Sequence, residues 1–301
     1  MNTKFMEKIA IIGCGTMGNG IAQVFATAGY PVHLIDISST ALINAETNIQ
    51  KNLDRLISKG KISMEQKPSI ISNLHFSDDL NNGVNEVSLV IEAVSEDVKL
   101  KEKVFRQLDD LTQPSTILAS NTSSISITSL GSFTKKPEKV IGMHFMNPVP
   151  VMSLIEIIPG LLTEKEVIHK VISFSESLEK SPLVVADFPG FISNRILMPM
   201  INEAILALQE NVAGVNEIDQ IMKLGMAHPM GPLQLADYIG LDVCLSILNV
   251  LKDGFGNPKY APAVLLVNMV KSGKFGVKTS EGFYLYDDTR KIIGVSNKFC
   301  S

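Results

Sequence analysis

The sequence has few cysteines, no excess of basic residues and no long apolar run. Its three cysteines are odd in number and show neither metal-ligand nor C-x-x-C spacing, which argues against a metal site and suits a reducing compartment. The formal net charge of −4 disfavours a general nucleic-acid or membrane-surface binder. The apolar stretch over 239–251 is too short to span a bilayer. Because the first predicted strand begins by residue 9, no room is left for a leader peptide, and we expect a cytoplasmic protein.

The 301 residues are enough for two domains, each with its own core. Over residues 1–186, short apolar runs alternate with amphipathic stretches, which is typical of a doubly wound, Rossmann-like sheet. We predict strands over 9–12, 32–35, 74–77, 87–94, 117–119, 140–144, 154–158 and 183–185. From Asp187 to residue 272 the pattern is helical, so the predicted fold class is α/β with an all-α C-terminal domain over 187–301. The largely apolar helix over 191–209 is expected in a core or at a subunit interface.

A glycine-rich turn follows the first predicted strand. Gly13, Gly15 and Gly18 have G-x-G-x-x-G spacing, a helical pattern follows them, and Asp36 ends the second strand. The glycines of such a turn let the backbone approach a pyrophosphate at a helix N-terminus, and the acid binds the ribose hydroxyls. The charge of Asp36 would repel a 2′-phosphate, and no Arg or Lys occurs between Asp36 and Lys51, so NAD is favoured over NADP. A βαβ unit that binds another phosphate, or nothing, is the weaker alternative.

Among the five histidines, His144 has the position best suited to catalysis. It ends the sixth predicted strand, and ligands of open α/β sheets gather at the carboxyl ends of strands. The oxidation of an alcohol requires a base for the hydroxyl proton, and histidine suits this role near neutral pH. Glu156 lies within the next apolar run, where a carboxylate is costly without a partner. If the two strands are neighbours, Glu156 can pair with His144; the alternative is an edge-strand glutamate that faces water.

Two further segments each allow two interpretations. The hydroxyl-rich loop over 120–124 could bind ribose, nicotinamide or a substrate oxygen, or it could cap the following helix. Lys51, Arg55 and Lys59 form a row along a helix predicted over 38–59. Such a row is usually a solvated helix face, and the alternative is a docking strip for an anionic ligand.

Taken together, these segments resemble the short-chain 3-hydroxyacyl-CoA dehydrogenases over roughly residues 6–286. The matching motifs are the turn over 13–20, L-A-S-N-T-S-S-I-S at 118–126, I-G-M-H-F-M-N-P-V-P-V-M at 141–152, P-G-F-I-S-N-R-I-L at 189–197, H-P-M-G-P-L at 228–233 and the segment 281–284. The resemblance implies the reversible, NAD-dependent oxidation of a short-chain (S)-3-hydroxyacyl-CoA, such as a four-carbon ester, to the 3-oxoacyl-CoA. It also implies a homodimer formed through the helical domain. From the charge and the cysteine spacing we expect no metal, nucleic-acid or membrane partner.

The resemblance further implies roles for individual residues. His144 would be the catalytic base, Glu156 its carboxylate partner, and Ser123 and Asn194 the groups that hold the substrate oxygen. The residues implied for the cofactor are Gly13, Gly15, Thr16, Met17, Gly18, Asp36, Glu96, Lys101, Ser123, Asn147 and Lys278. Those implied for the acyl-CoA are Asn52, Lys59, Ser123 and Asn194.

Three positions depart from the family pattern. Asn52 stands where some relatives have a CoA-contacting serine, Met146 where a second phenylalanine is usual, and Gln234 where glutamate is common. None of these changes removes a catalytic group. Two alternatives are weaker: a β-hydroxyacid dehydrogenase for a free acid, which typically uses a lysine that is absent over 189–197, and a non-catalytic NAD-binding relative.

Overall fold

The computed structural model describes residues 7–299, so the outermost residues of both predicted domains lie outside the described range. The chain divides into two compact units, one ending at Phe188 and the other beginning at Pro189. Within residues 7–299 no single helix is long and apolar enough to cross a membrane. The successive helices over 232–239 and 241–255 reach that length and composition only together, and the pair is bent by 97°.

The first unit is built on an eight-stranded sheet with strand order β3-β2-β1-β4-β5-β6-β7-β8. Its strands are β1 (Ile9–Ile12), β2 (Val32–Ile35), β3 (Leu74–Ser77), β4 (Leu89–Glu92), β5 (Ile117–Ser120), β6 (Val140–Phe145), β7 (Leu154–Pro159) and β8 (Ser181–Val184). Its helices are α1 (Thr16–Thr27), α2 (Ser39–Ser58), α3 (Gln66–Ser72), α4 (Leu80–Gly83), α5 (Val98–Leu111), α6 (Ile127–Gly131) and α7 (Lys165–Ser177). Strands β1 to β6 are parallel, and the predicted Rossmann-like fold is confirmed.

Strands β7 and β8 extend the sheet in the opposite direction. β7 pairs antiparallel with β6, and β8 runs parallel to β7. The link over 146–153 contains no helix, and such a short link joins antiparallel neighbours, because parallel strands need a longer crossover. The reversal therefore places the last residues of β6 beside the first residues of β7.

The core of the first unit lies between the sheet and its helices. Strands β1, β4 and β5 are buried over their whole length, as expected for central strands of a sheet covered on both faces. Phe25 of α1, Tyr30 and Phe174 of α7 meet edge to face, with ring centroids 5.6 to 6.4 Å apart. Burying a side chain such as Phe25 contributes roughly 1.5–3 kcal/mol, so this cluster fixes α1 against α7 and the sheet.

The second unit is helical, as predicted, and it also contains a hairpin that the sequence did not predict. Its helices are α8 (Ser193–Gln209), α9 (Val215–Gly225), α10 (Pro232–Ile239), α11 (Leu241–Phe255) and α12 (Val264–Lys271). Strands β9 (Tyr284–Tyr286) and β10 (Ile292–Val295) pair antiparallel. Helix α8 buries Met198, Ile201 and Ile205 in the core, whereas Ile196 on the same helix is 65% exposed.

A buried aspartate ties the hairpin to helix α10. Asp237 accepts hydrogen bonds from the amides of Phe283 and Tyr284 at 3.0 and 2.9 Å, and from the Tyr286 hydroxyl at 3.0 Å. Burial raises the pKa of Asp237 to about 6, although these hydrogen bonds act in the opposite direction. The carboxyl group is therefore a buried part of the core whose pKa lies well above that of a free aspartate.

Candidate active site

The glycine-rich turn has the geometry of a dinucleotide cradle. Gly13 has a φ of +103°, and a β-carbon there would lie 2.8 Å from the carbonyl oxygen of Ala93. A β-carbon at Gly18 would lie 1.9 Å from the carbonyl oxygen of Gly13, so only glycine permits this packing of α1 on the turn. A β-carbon at Gly15 would meet no heavy atom within 4 Å, and no side chain makes a capping hydrogen bond to α1. The N-terminus of α1 is thus open at Gly15 and has no side-chain cap, which fits a pyrophosphate bound by its first amides.

Asp36 is held at the carboxyl end of β2 beside this turn. Its two carboxylate oxygens accept hydrogen bonds from the amides of Cys14 at 2.8 Å and Ser38 at 2.9 Å. It lines a cavity of about 470 Å³ whose other walls include the apolar side chains of Val94 and Leu100. A carboxylate next to an apolar slot fits the ribose and adenine of NAD.

A second cavity, of about 260 Å³, adjoins the same turn. It brings together four of the residues predicted to bind ligands, namely Gly15, Thr16, Asn52 and Asn147. Met17 is also predicted for the cofactor; it is partly buried and packs against the core of the first unit, and its contact with the cofactor stays a prediction. Lys59 follows the last residue of α2, where it is exposed and does not line this cavity.

The sheet brings His144 and Glu156 together. They are direct neighbours across the antiparallel β6–β7 pair, and Nδ1 of His144 lies 2.7 Å from a carboxylate oxygen of Glu156. The side chains are 10% and 3% exposed, so the pair is shielded from water. The prediction that the two residues can pair depended on adjacent strands, and the observed register provides that adjacency. Such a contact fixes the orientation of the imidazole and commits Nδ1 to the carboxylate.

The loop that carries Ser123 is gathered around Glu96. One Glu96 oxygen accepts hydrogen bonds from the Thr122 hydroxyl at 2.6 Å and from the Ser123 and Ser124 amides at 3.0 and 3.1 Å. Burial favours a higher pKa for Glu96, but the charge of Lys101 and the hydrogen bonds from this loop outweigh it and hold the pKa below its usual value. Glu96 is therefore an anchor for the loop.

Lys101 lies under this loop and is 1% exposed. Its ammonium nitrogen lies 2.6 Å from Glu92 and 3.4 Å from Glu96. Its predicted contact with the cofactor stays a prediction, and the observed contacts are to these two carboxylates. Sequence reasoning missed Glu92, although a carboxylate at the end of the apolar run of β4 is the same signal that identified Glu156.

Asn194 and Lys278 lie in the second unit. Asn194 is buried in the first turn of α8. Lys278 forms an ion pair with Asp242 at 2.5 Å. Their predicted roles toward substrate and cofactor stay predictions.

Within residues 7–299 no group of three or more His, Cys, Asp or Glu side chains is arranged to hold a metal ion.

Comparison with known proteins agrees with this geometry. Residues 8–188 match the NAD-binding domain of 3-hydroxyacyl-CoA dehydrogenases, and residues 190–286 match their C-terminal domain. The chain is 49% identical to 3-hydroxybutyryl-CoA dehydrogenase of Clostridioides difficile over 93% of this chain and 99% of that protein. It is 47% identical to the probable 3-hydroxybutyryl-CoA dehydrogenase of Bacillus subtilis (strain 168), over 94% and 98% of the two chains.

A solved structure gives the same result for the fold. The (S)-3-hydroxybutyryl-CoA dehydrogenase of Ralstonia eutropha superposes with a TM-score of 0.91 at 45% identity, covering 94% of this chain and all of that one. The two domain matches together cover nearly the whole sequence. The chain belongs to the 3-hydroxyacyl-CoA dehydrogenase family.

Proposed function

We propose that this protein catalyses the reversible, NAD-dependent oxidation of (S)-3-hydroxybutyryl-CoA to acetoacetyl-CoA. The observation that carries the proposal is the buried His144–Glu156 pair at the end of β6, in the same sheet whose β1–α1 turn forms the dinucleotide cradle. Relatives of 46 to 49% identity carry the name 3-hydroxybutyryl-CoA dehydrogenase. A four-carbon acyl chain is therefore the first substrate to test.

In the oxidation direction, His144 accepts the proton of the substrate hydroxyl. Because Nδ1 faces Glu156, the proton is taken up at Nε2, and the imidazolium that forms is stabilised by the adjacent carboxylate. NAD, when bound, supplies the hydride acceptor for the hydrogen on the hydroxyl-bearing carbon. The burial of His144 and Glu156 strengthens their electrostatic coupling, because little water screens it.

We assign Ser123 and Asn194 to the substrate oxygen. A hydroxyl and an amide can both donate hydrogen bonds to the carbonyl oxygen that develops as the alcohol is oxidised. The amide of Ser123 is fixed by Glu96, which supports a defined place for its side chain. The motif over 189–197 supports the assignment of Asn194.

We assign Asn52 and Lys59 to the CoA moiety. Both are on or directly after α2, and Asn52 lines the cavity next to the glycine-rich turn. Arg55 and Lys51 lie about one and two turns before Lys59, on α2. A row of exposed cations beside a phosphate cradle suits the phosphates of CoA, which carry several negative charges.

We also propose a cytoplasmic homodimer that associates through the helical unit. Ile221 and Leu224 of α9 are 58% and 83% exposed, an apolar pair of the kind that marks interaction surfaces. The two buried, free thiols of Cys14 and Cys244 accord with a reducing compartment. Light scattering during size-exclusion chromatography should give a molar mass of twice the chain mass. The variant Leu224→Glu should shift this mass toward that of the monomer. A monomeric wild type would refute the dimer.

The function is tested by following NADH loss with acetoacetyl-CoA, beside reactions with NADPH and with free acetoacetate. We expect turnover with NADH and the CoA ester, and at most a small fraction of that rate in the other two reactions. Turnover of the free acid would favour a β-hydroxyacid dehydrogenase. No turnover, despite measurable NADH binding, would favour a non-catalytic relative.

A further inference from the structure

The most deeply buried carboxylate near the candidate site has no role in the proposed mechanism. Glu92 ends β4 and is 0% exposed. A carboxylate in such a place costs several kcal/mol unless it is fully paired. One Glu92 oxygen accepts from the Lys101 ammonium at 2.6 Å and the Val94 amide at 2.7 Å, and the other accepts from the Ser120 hydroxyl at 2.6 Å. Both oxygens are therefore engaged.

Two chains of contacts connect Glu92 to the loop over 120–124. The short one runs through Ser120, whose hydroxyl oxygen accepts a hydrogen bond from the Thr122 amide at 3.2 Å. The long one runs through Lys101, which lies 3.4 Å from Glu96. Glu96 in turn binds the amides of Ser123 and Ser124. A single buried carboxylate thus holds both the start and the tip of the loop.

The same loop is attached to the strand that carries His144. The side-chain oxygen of Asn121 accepts a hydrogen bond from the amide of Phe145 at 2.9 Å. Phe145 follows His144 directly in β6. The position of the loop therefore determines how Ser123 lies relative to His144.

We propose that Glu92 is a positioning residue for the dehydrogenase reaction, which places Ser123 opposite His144 by holding the 120–124 loop. The proposal rests on the role assigned to Ser123 under the proposed function. A buried ion pair with a purely structural role would affect only the stability of the sheet. If Glu92 positions the loop, removing its charge should loosen the loop and lower kcat. If the ion pair is only structural, removing the charge should lower stability and leave the loop and kcat unchanged.

The isosteric change Glu92→Gln separates them. The amide oxygen can still accept from Lys101 and from the Val94 amide, and the NH2 group can donate to the Ser120 oxygen, so the shape and all three contacts are retained and only the direction of the Ser120 bond is reversed. The main change is the loss of the charge. Lys101 is then balanced by Glu96 alone, which draws Glu96 toward Lys101 and away from the amides of the loop.

The experiment compares Glu92→Gln with Glu164→Gln in the full-length enzyme. Glu164 forms a partly exposed ion pair with Lys139 at 2.5 Å, so this control removes one paired carboxylate elsewhere in the unit. We expect Glu92→Gln to lower kcat by roughly 10- to 100-fold, the scale of a misplacement of about 1 Å. The KM for acetoacetyl-CoA should change less than about threefold, because the CoA contacts assigned to Asn52 and Lys59 lie on or next to α2 and remain. Amide hydrogen exchange over 120–126 should become faster, whereas Glu164→Gln should match the wild type in all three readouts.

A double-mutant cycle with Lys101→Met tests whether Glu92 acts through Lys101. The double variant should be no slower than the slower single variant, because both changes interrupt the same chain of contacts. Additive losses, or a normal kcat with unchanged exchange over 120–126, would overturn the proposal. If Glu92→Gln does not fold, Ser120→Ala interrupts the short chain alone and must still raise the exchange over 120–126.

Amide hydrogen exchange also allows the proposal for Glu92 to be tested independently of the proposed function. A wild type without turnover of acetoacetyl-CoA would refute the function. Exchange over 120–126 in Glu92→Gln would still decide whether Glu92 holds the loop: faster exchange supports the inference, and unchanged exchange refutes it.

Discussion

Replacing Glu156 by glutamine should slow catalysis without weakening binding. The carboxylate oxygen lies 2.7 Å from Nδ1 of His144, and both side chains are shielded from water. The centres of the two delocalised charges are then roughly 4 Å apart, which corresponds to about 4 kcal/mol of attraction at an effective dielectric constant of about 20. The neutral amide forfeits most of this stabilisation of the imidazolium. Since about 1.4 kcal/mol is a factor of ten, we expect kcat to fall by about 10²- to 10³-fold.

The measurement is the initial rate of NADH loss at saturating acetoacetyl-CoA, with the melting temperature recorded on the same preparation. The KM values for both ligands should stay within about twofold, because Glu156 contacts neither in the proposed mechanism. A Glu164→Gln control removes an ion-paired carboxylate outside the candidate site and should retain full activity. A folded Glu156→Gln enzyme with kcat within about threefold of the wild type would refute the assigned role of the pair.

Three further predictions follow from the site and the core. Asp36→Asn should raise the NADPH-to-NADH ratio of kcat/KM by at least about tenfold, because the charge that repels a 2′-phosphate is removed; an unchanged ratio would contradict this role. Lys59→Glu should raise KM for acetoacetyl-CoA about three- to tenfold. The control Lys103→Glu makes the same charge change at an exposed lysine on α5 and should leave this KM unchanged. Asp237 has a folded pKa of about 6, raised from 3.8 by burial, so its ionisation opposes folding. As the pH rises from 4 to 7, the free energy of unfolding of the wild type should therefore fall by up to about 3 kcal/mol relative to that of Asp237→Asn. The same dependence of stability on pH in both proteins would contradict the shift.

The sequence alone determined the eight strands of the first unit, the helical character of the second unit and the fold class. Apolar runs such as Ile9–Ile12, and amphipathic stretches such as Val98–Leu111, carry a period that is readable within a few residues. The spacing from Gly13 to Asp36 is equally local, so the dinucleotide turn was predictable. The series of motifs from 118 to 197 was sufficient for the resemblance to the family.

The hairpin of the second unit was not predictable from such patterns. β10 is short, is interrupted by a glycine and is largely exposed at Ile293, so it lacks a strong period of two. It forms because β9 offers it an edge and because Asp237, far away in the sequence, binds the amides before and at the start of β9. Contacts of this kind depend on partners that no local window contains.

Only the tertiary structure decided how the catalytic groups meet. His144 and Glu156 are twelve residues apart, and their contact requires β7 to reverse against β6 in one particular register, since a shift by one residue would turn Glu156 to the other face. The burial of Lys101 likewise depends on where α5 lies relative to Glu92 at the end of β4 and to Glu96 in the link that follows. The sequence supplies the groups through short-range periodicity, whereas their partners are set by strand order and register, which are long-range properties of the folded sheet.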